Sequence, residues 1–269
     1  MPVATNDDIK ATPAFFIQAL ARGLSMLEVF DEQHPDLSLT ELAMALNTNK
    51  PTARRFAQTL VTLGYLEVSP TKRYRLGTRV LALGQRYLAT LDLAQVARPH
   101  LERLSRATGE STNLAVRDGR EVVYVARLQA APRILSINLH VGSRLPAYAT
   151  SLGKALLVGK TDAELVAVLG PPPWPAFTPR TLRSPVTLRA SLDHVERCGY
   201  AICDGELELG LRSIAAPVFN AEGEVTAAVN VSTHAAQVPI EQLTGPFAEA
   251  LVKAAGDLSR ALGYSGATA

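Results

Sequence analysis

Residues 38–76 constrain this chain more than any other stretch, because two short amphipathic helical patterns run straight into a basic hairpin pattern. The first helix opens with a capping box. Ser38 stands at the N-cap and Glu41 three residues on, so two otherwise bare backbone donors are satisfied and Leu42, Ala43 and Leu46 turn inward. It ends at Asn47. The second helix starts at Thr48 or Asn49, tolerates Pro51 in its first turn, and is expected to bury Phe56, Leu60 and Leu63 before Gly64 stops it. Its solvent side offers Asn49, Lys50, Thr52, Arg54 and Arg55, with no acid between them. Beyond Gly64, Tyr65-Leu66-Glu67-Val68 and Arg73-Tyr74-Arg75-Leu76 alternate around Ser69-Pro70-Thr71-Lys72, which spells strand, turn and strand. Helix, turn, helix and hairpin in that order predict a winged helix-turn-helix whose second helix meets base edges and phosphates.

Charge supports that expectation. From Lys50 to Arg86 the basic residues are Lys50, Arg54, Arg55, Lys72, Arg73, Arg75, Arg79 and Arg86, against the single acid Glu67, although the whole chain carries only +2. A run of charge is usually a solvated face. Here it coincides with the order of elements that a DNA-binding module needs, so Thr48, Asn49, Lys50, Thr52, Arg54 and Arg55 are expected to contact double-stranded DNA, with Lys72, Arg73 and Arg75 on the wing.

A chain of 269 residues is long enough for two domains. It has no uninterrupted apolar stretch of membrane-spanning length, and its start, MPVATNDDIK, lacks the basic and then apolar pattern of a signal peptide, so a cytoplasmic protein with no membrane partner is expected. Cys198 and Cys203 are too few for a disulfide scaffold. Residues 1–13 read as a loose N-terminus, and a helix from about Ala14 to Phe30 with Phe16, Leu20, Leu24, Leu27 and Phe30 in one stripe completes an all-α head over 14–77. Helical pattern resumes from Thr78 to Thr108, with Pro99 as a kink. Its first part, 78–92, is a linker helix, and apolar faces here and near the first helix suit contact with a second copy, against the alternative of burial within one chain.

Residues 93–269 read as an α+β sheet domain. Strands are expected at Asn113–Val116, Glu121–Arg127, Ile134–Val141, Tyr200–Cys203, Ser213–Phe219 and Val225–Val231, with tight turns at Asp118-Gly119 and Glu222-Gly223. Helices are expected at 151–158, 161–169, 188–198 and 240–262, around a loop from Pro171 to Pro185 that contains Trp174.

The run Arg144-Leu145-Pro146-Ala147-Tyr148-Ala149-Thr150-Ser151-Leu152-Gly153-Lys154-Ala155 and the run Gly210-Leu211-Arg212-Ser213-Ile214-Ala215-Ala216-Pro217-Val218, behind such a head, resemble the IclR family over nearly the full length. Ala21-Arg22-Gly23-Leu24, Tyr74-Arg75-Leu76-Gly77 and Phe177-Thr178-Pro179-Arg180-Thr181 fit the same order. Ile134-Leu135-Ser136-Ile137-Asn138-Leu139 and Ala228-Val229-Asn230-Val231-Ser232-Thr233 are similar to the branch that regulates aromatic-acid catabolism, the β-ketoadipate pathway regulators. The resemblance implies a winged helix-turn-helix domain joined by a linker helix to a GAF-like effector-binding domain, acting as a homodimer or dimer of dimers on operator DNA. It further implies a small organic-acid effector, with backbone groups at Ser151 and Leu152 receiving a carboxylate and Cys203, Ser213, Asn230 and Ser232 lining the pocket. Asn230 stands where binders of short acids often carry Ser, and Cys203 where an Asp occurs, which points away from glyoxylate or pyruvate. Arg144 and Tyr148 are expected to serve a larger aromatic acid or a ring-cleavage dicarboxylate, through a guanidinium–carboxylate pair and a phenol.

Competing chemistry is thinner. Ser151-Leu152-Gly153-Lys154 matches the S-x-x-K nucleophile pattern, but the companion S-D-N and K-T-G elements are missing, so a serine hydrolase is only the alternative. A constitutive DNA-binding protein whose sheet domain merely dimerises is another. His194, Cys198, Cys203 and Asp204 lack the repeated close cysteine spacing of a structural zinc site, and Glu206 with Glu208 reads as solvated loop charge rather than a catalytic pair. No catalytic residue, metal or cofactor is expected, and Trp174 reads as a packing anchor.

Overall fold

A computed structural model describes residues 15–31, 33–83, 92–130 and 139–266. Residues 1–13, the linker stretch 84–91 and most of the strand expected at 134–141 lie outside the described residues. The chain divides into two compact units, Met1–Thr90 and Leu91–Ala269.

The first unit contains α1 (Gln18–Glu28), β1 (Asp36–Leu37), α2 (Leu39–Ala45), α3 (Lys50–Thr62), β2 (Leu66–Val68) and β3 (Tyr74–Leu76). The capping box forms as the sequence requires: Glu41 N–H donates to Ser38 Oγ at 3.3 Å and Ser38 N–H to Glu41 Oε2 at 2.6 Å. Met26, Leu42, Ala53, Ala57 and Leu66 form the centre of the core. On α3 the buried face is Ala53, Ala57 and Leu60. Phe56 sits on its flank, and Leu63, expected inside, is 45% exposed: it is the C-cap residue just past the end of the helix, and at 100° per residue it lies about 80° round from Ala53, at the edge of the buried face. The α1 stripe follows expectation only in part: Leu27 and Phe30 pack against the core beside the buried Met26, whereas Phe16, Leu20 and Leu24 are exposed. β1, which no periodicity announced, pairs with β3 and makes the wing three-stranded, in the order β1-β3-β2.

The second unit is a six-stranded antiparallel sheet in the order β6-β5-β4-β9-β8-β7, built from β4 (Ser111–Asp118), β5 (Glu121–Leu128), β6 (Arg144–Pro146), β7 (Ala201–Asp204), β8 (Leu211–Phe219) and β9 (Val225–His234). Side chains alternate across it. Thr112 turns toward the Asp92–Thr108 helix, donating to the Leu101 carbonyl at 3.2 Å, so its neighbours Ser111 and Asn113 face the opposite side. That other face is covered by the Ser151–Leu156 and Pro185–Cys198 helices through Leu152, Ala155, Leu188, Leu192 and Val195. The Asp92–Thr108 helix runs through Pro99 and packs within its own unit on β4, β5 and the Ala248–Ala261 helix. The C-terminal helix, expected unbroken over 240–262, is interrupted by a π-turn at Leu243–Phe247 around Pro246, which has no N–H to continue the ladder.

The Ser151–Leu156 helix is only a turn and a half long, and close packing fixes it. Thr150 caps it, its Oγ1 accepting the Gly153 N–H at 3.1 Å, and a Cβ on Gly153 would fall 2.0 Å from the Ala147 carbonyl oxygen. Gly153→Ala should therefore cost about 1–3 kcal/mol or more, since backbone rather than a side chain must give way. Urea unfolding of the full chain measures this; a midpoint equal to the parent's would show that the helix sits less tightly on the 147 turn.

Candidate functional site

The first candidate surface is the polar side of α3 with the wing. Asn49 is the N-cap, its Oδ1 accepting the Thr52 N–H at 2.9 Å, which leaves the side-chain amide N–H groups exposed at the helix start. Lys50, Arg54 and Arg55 are exposed and Thr48 and Thr52 half-buried. Among the described residues no carboxylate pairs with Lys50, Arg54, Arg55 or Lys72. Lys72, at the hairpin tip, holds a left-handed backbone with φ of 59°. The other two wing arginines are not free. Arg73 pairs with Asp36 on β1 and lies 3.3 Å from Glu41, and Arg75 meets Glu67 at 2.7 Å. Reading the basic run by itself missed Asp36 and Glu41, which lie earlier in the chain and are brought to the wing by the fold.

The second candidate is a cavity on the face of the sheet beneath the Ser151 helix. Strand register assembles its floor from two rows. Arg127, Asn113 and Asn230 are cross-strand neighbours on β5, β4 and β9, and Ser111, Ser232, Ser213 and Cys203 form the next row on β4, β9, β8 and β7. Hydrogen bonds run along them in one direction: Arg127 Nη1 to Asn113 Oδ1 at 3.2 Å, Asn113 Nδ2 to Asn230 Oδ1 at 2.8 Å, and Asn230 Nδ2 to Ser232 Oγ at 2.9 Å. The last hydroxyl has no acceptor of its own among the described residues. At the other end Arg127 Nε is buried with no partner, and no carboxylate pairs with this guanidinium among the described residues. Burial holds its pKa below the ordinary arginine value, with the Tyr124 phenol opposing. Tyr124, Leu139, Leu145, Leu207, Glu208 and Leu211 complete much of the wall. The enclosed space is about 30 Å³, room for roughly one or two waters. A wider, open depression of about 500 Å³ between Val158 and Tyr264 contains no buried polar atom without a partner.

Five expected residues thus meet at the cavity: Ser151, Cys203, Ser213, Asn230 and Ser232. Ser151 Oγ lies 2.8 Å from Ser213 Oγ, and the Cys203 thiol, its pKa pushed by burial up to about 12, donates to the Ala149 carbonyl. The side chain of Leu152 belongs to the apolar core, leaving only its backbone toward the site. Arg144 and Tyr148 are elsewhere. Arg144 is drawn outward by Glu121 at 2.8 Å and Asp118 at 2.6 Å, while Tyr148 packs on Trp174, ring centroids 5.2 Å apart, and donates to the Pro175 carbonyl. Arg127, which sequence pattern missed, lines the cavity instead, and Asn113, also missed, links it to Asn230 beneath the lining. An arginine ending the apolar run Val122–Ala126 was the available signal.

The competing groups do not assemble. Lys154 Nζ donates to the Ile202 carbonyl at 3.0 Å and to Glu206 Oε1 at 2.5 Å, so it is turned to those partners and not to the Ser151 hydroxyl. Glu206, expected as solvated loop charge, is instead buried. His194 lies edge-on to Tyr200, Cys198 is exposed, and Asp204 pairs with Arg212 and Arg180. Trp174 is buried, its indole donating to the Gly170 carbonyl.

The family model described as "IclR helix-turn-helix domain" matches residues 19–70, and that described as "Bacterial transcriptional regulator IclR C-terminal" matches residues 85–260. The Pca regulon regulatory protein of Pseudomonas putida is 39% identical over 247 residues, covering 92% of this chain and 84% of that protein. The p-hydroxybenzoate hydroxylase transcriptional activator of Acinetobacter baylyi is 34% identical, over 90% of this chain and 91% of that protein. The crystal structure of an IclR homolog from Microbacterium hydrocarbonoxydans, complexed with 4-hydroxybenzoate, superposes with a TM-score of 0.78 at 32% identity, covering 91% of this chain and 99% of that one. With a helix-turn-helix head, a curled antiparallel sheet domain and full-length regulators as relatives, the chain belongs to the IclR family of DNA-binding bacterial transcriptional regulators.

Proposed function

We propose that the protein binds operator DNA as a two-fold dimer, or dimer of such dimers, and alters its hold on DNA when a small organic acid occupies the cavity beneath the Ser151 helix. The units are a DNA-binding head over 14–77, a connecting helix over 78–92 and an effector domain over 93–269, acting in the cytoplasm. No helix among the described residues is long and apolar enough to cross a membrane. The single observation that carries the effector assignment is the cavity's unmatched donors, Arg127 Nε and the Ser232 hydroxyl. An anion satisfies both, and the N–H groups of Ser151 and Leu152, left over by the Thr150 cap, add to them. Glu208 gives the same lining a carboxylate, suited to accept from a ligand hydroxyl and repulsive to a second ligand carboxylate. A hydroxylated aromatic acid such as 4-hydroxybenzoate fits that pair of demands better than a dicarboxylate. Such an acid exceeds the present cavity, so it binds only with displacement of lining side chains; that difference between bound and free forms is what lets a ligand shift an equilibrium. A catalytic role for Ser151 has no support, because Lys154 is committed to Glu206 and Ile202.

The exposed apolar run Phe15, Phe16, Ile17, Leu20 and Leu24, with Leu81 and Leu83 in the same unit, supports the dimer, since contiguous exposed apolar surface is characteristic of an interface. In a two-fold pair, α3 of each copy enters successive major grooves.

On DNA, Arg54→Ala or Arg55→Ala should cost about 1–3 kcal/mol of operator affinity and relax specificity at one base position. Operator titrations in which both match the parent would rule these contacts out. The wing divides by charge compensation. Lys72→Ala should flatten the salt dependence of binding by about one unit of slope, and Arg73→Ala or Arg75→Ala by less, because their charge is already paired with Asp36, Glu41 and Glu67. Equal flattening by all three variants would count against that division.

In the cavity, Arg127→Met should weaken acid binding by about 1.5–3 kcal/mol, and Ser232→Val or Asn230→Leu by about 0.5–1.5 kcal/mol, with operator affinity in the absence of acid unchanged. Calorimetry with 4-hydroxybenzoate and a ring-cleavage dicarboxylate decides this. Undiminished binding in Arg127→Met would displace the acid from this cavity.

A further inference from the structure

We propose that the buried Lys154–Glu206 ion pair is a positioning element of the effector cavity, fixing the turn that carries Leu207, Glu208 and Leu211 against the helix that carries Ser151. The proposal rests on the cavity being the effector site. Lys154 is fully buried in the chain, and its ammonium bridges two points of one neighbouring segment, the Ile202 carbonyl at 3.0 Å and Glu206 Oε1 at 2.5 Å. Both ends adjoin the lining. Ser151 stands three residues before Lys154, Cys203 follows Ile202, and Leu207 and Glu208 follow Glu206. The charge pair therefore ties the segment that carries Leu207 and Glu208 to the Ser151 helix, beside the Ser151–Ser213 and Cys203–Ala149 contacts nearer the sheet.

The same turn is clamped from the Phe177–Thr181 loop. Thr178 Oγ1 donates to the Gly205 carbonyl and Thr181 Oγ1 to the Glu206 carbonyl, each at 2.6 Å, so the backbone around Glu206 is held by hydroxyls while its carboxylate is held by Lys154. These hydroxyls are themselves oriented. Thr181 Oγ1 accepts the Phe177 and Thr178 N–H groups, and Thr178 Oγ1 accepts that of Arg180. Gly205, with φ of 69°, supplies the left-handed step that brings the two carbonyls round to the loop.

Stability alone is a poor reason for such a pair. Removing two charges from water offsets most of their attraction, and a well-packed apolar pair commonly does as well. Glu206 Oε2 is moreover buried with no partner, a cost that a purely stabilising contact would not carry. An ammonium that must satisfy a carbonyl and a carboxylate at once does what an apolar contact cannot, since it sets direction as well as proximity. In a cavity of about 30 Å³, a small drift of Leu207 or Leu211 changes which ligand the walls admit.

The test uses the full-length double variant Lys154→Met/Glu206→Leu beside the parent and Arg127→Met, with 4-hydroxybenzoate and related aromatic acids as probes. The double variant should keep the parent's urea midpoint and its operator affinity without acid. Its 205–211 amides should exchange about tenfold faster with solvent. Its acid affinity should fall about tenfold, because the lining must now be ordered on binding. If Arg127→Met loses the acid while the double variant keeps both parent affinity and parent exchange, the ion pair has no positioning role. If the parent binds none of the acids, or Arg127→Met binds as the parent does, the cavity is not the effector site and the proposal falls with it. Should the double variant fail to fold, Glu206→Gln removes the carboxylate's charge while keeping its size, and unchanged exchange of the 205–211 amides with unchanged acid affinity there overturns the proposal equally.

Discussion

The register of β4 against β9, and of β9 against β8, is the constraint on which the second unit depends. A strand's side chains alternate, so a slip of one residue would exchange the two faces wholesale. In the observed register Leu114, Val229 and Ile214 share one face, while Asn113, Asn230, Ser232 and Ser213 gather on the other. Buried polar groups tolerate this only when they satisfy one another. The Arg127–Asn113–Asn230–Ser232 chain does so at every link except its two ends, and those ends open into the cavity. The same register that closes the core thereby leaves donors where an anion can use them.

Charge in the head follows a comparable division. Asp36 and Glu41 hold Arg73, and Glu67 holds Arg75, tying wing to wing and wing to α2. Exposed pairs of this kind contribute little to stability, but they take positive charge out of the field that phosphates meet. Lys50, Arg54, Arg55 and Lys72, on α3 and at the hairpin tip, are exposed cations with no carboxylate partner among the described residues. On the proposed DNA-binding mode, paired and unpaired cations side by side would differ in what they add to the salt dependence of binding.

Effector binding has to work on DNA affinity through a difference between states. A cavity with space for roughly one or two waters admits an aromatic acid only after its lining moves. On the proposed reading, the free energy of that movement is what would let occupancy favour one arrangement of the protein, and operator binding would in return change the acid's affinity by the same factor. A turn pinned by a buried ion pair and two hydroxyls would, on that reading, confine the displacement to the side chains that meet the ligand.

Local sequence sufficed for whatever local chemistry decides. The Ser38–Glu41 box, the helix start near Asn49, the stop at Gly64, the hairpin around Ser69–Lys72 and most strand and helix positions follow from short-range pattern, while the meeting of Ser151, Cys203, Ser213, Asn230 and Ser232 was implied by the family resemblance alone. Side-chain direction across distant segments did not follow. Arg144 and Tyr148 looked suited to an acid, yet nearby carboxylates and the Trp174 ring claim them, and Arg127, which carries no motif, faces the cavity because β5 pairs with β4. Glu206 reads as loop charge in a string, yet it is buried, with its carboxylate paired to Lys154, 52 residues away, and its carbonyl held by Thr181. Periodicity and capping are written in neighbours along the chain, whereas pairing of charges and the inward face of a strand are settled by contacts that exist only after the sheet has closed.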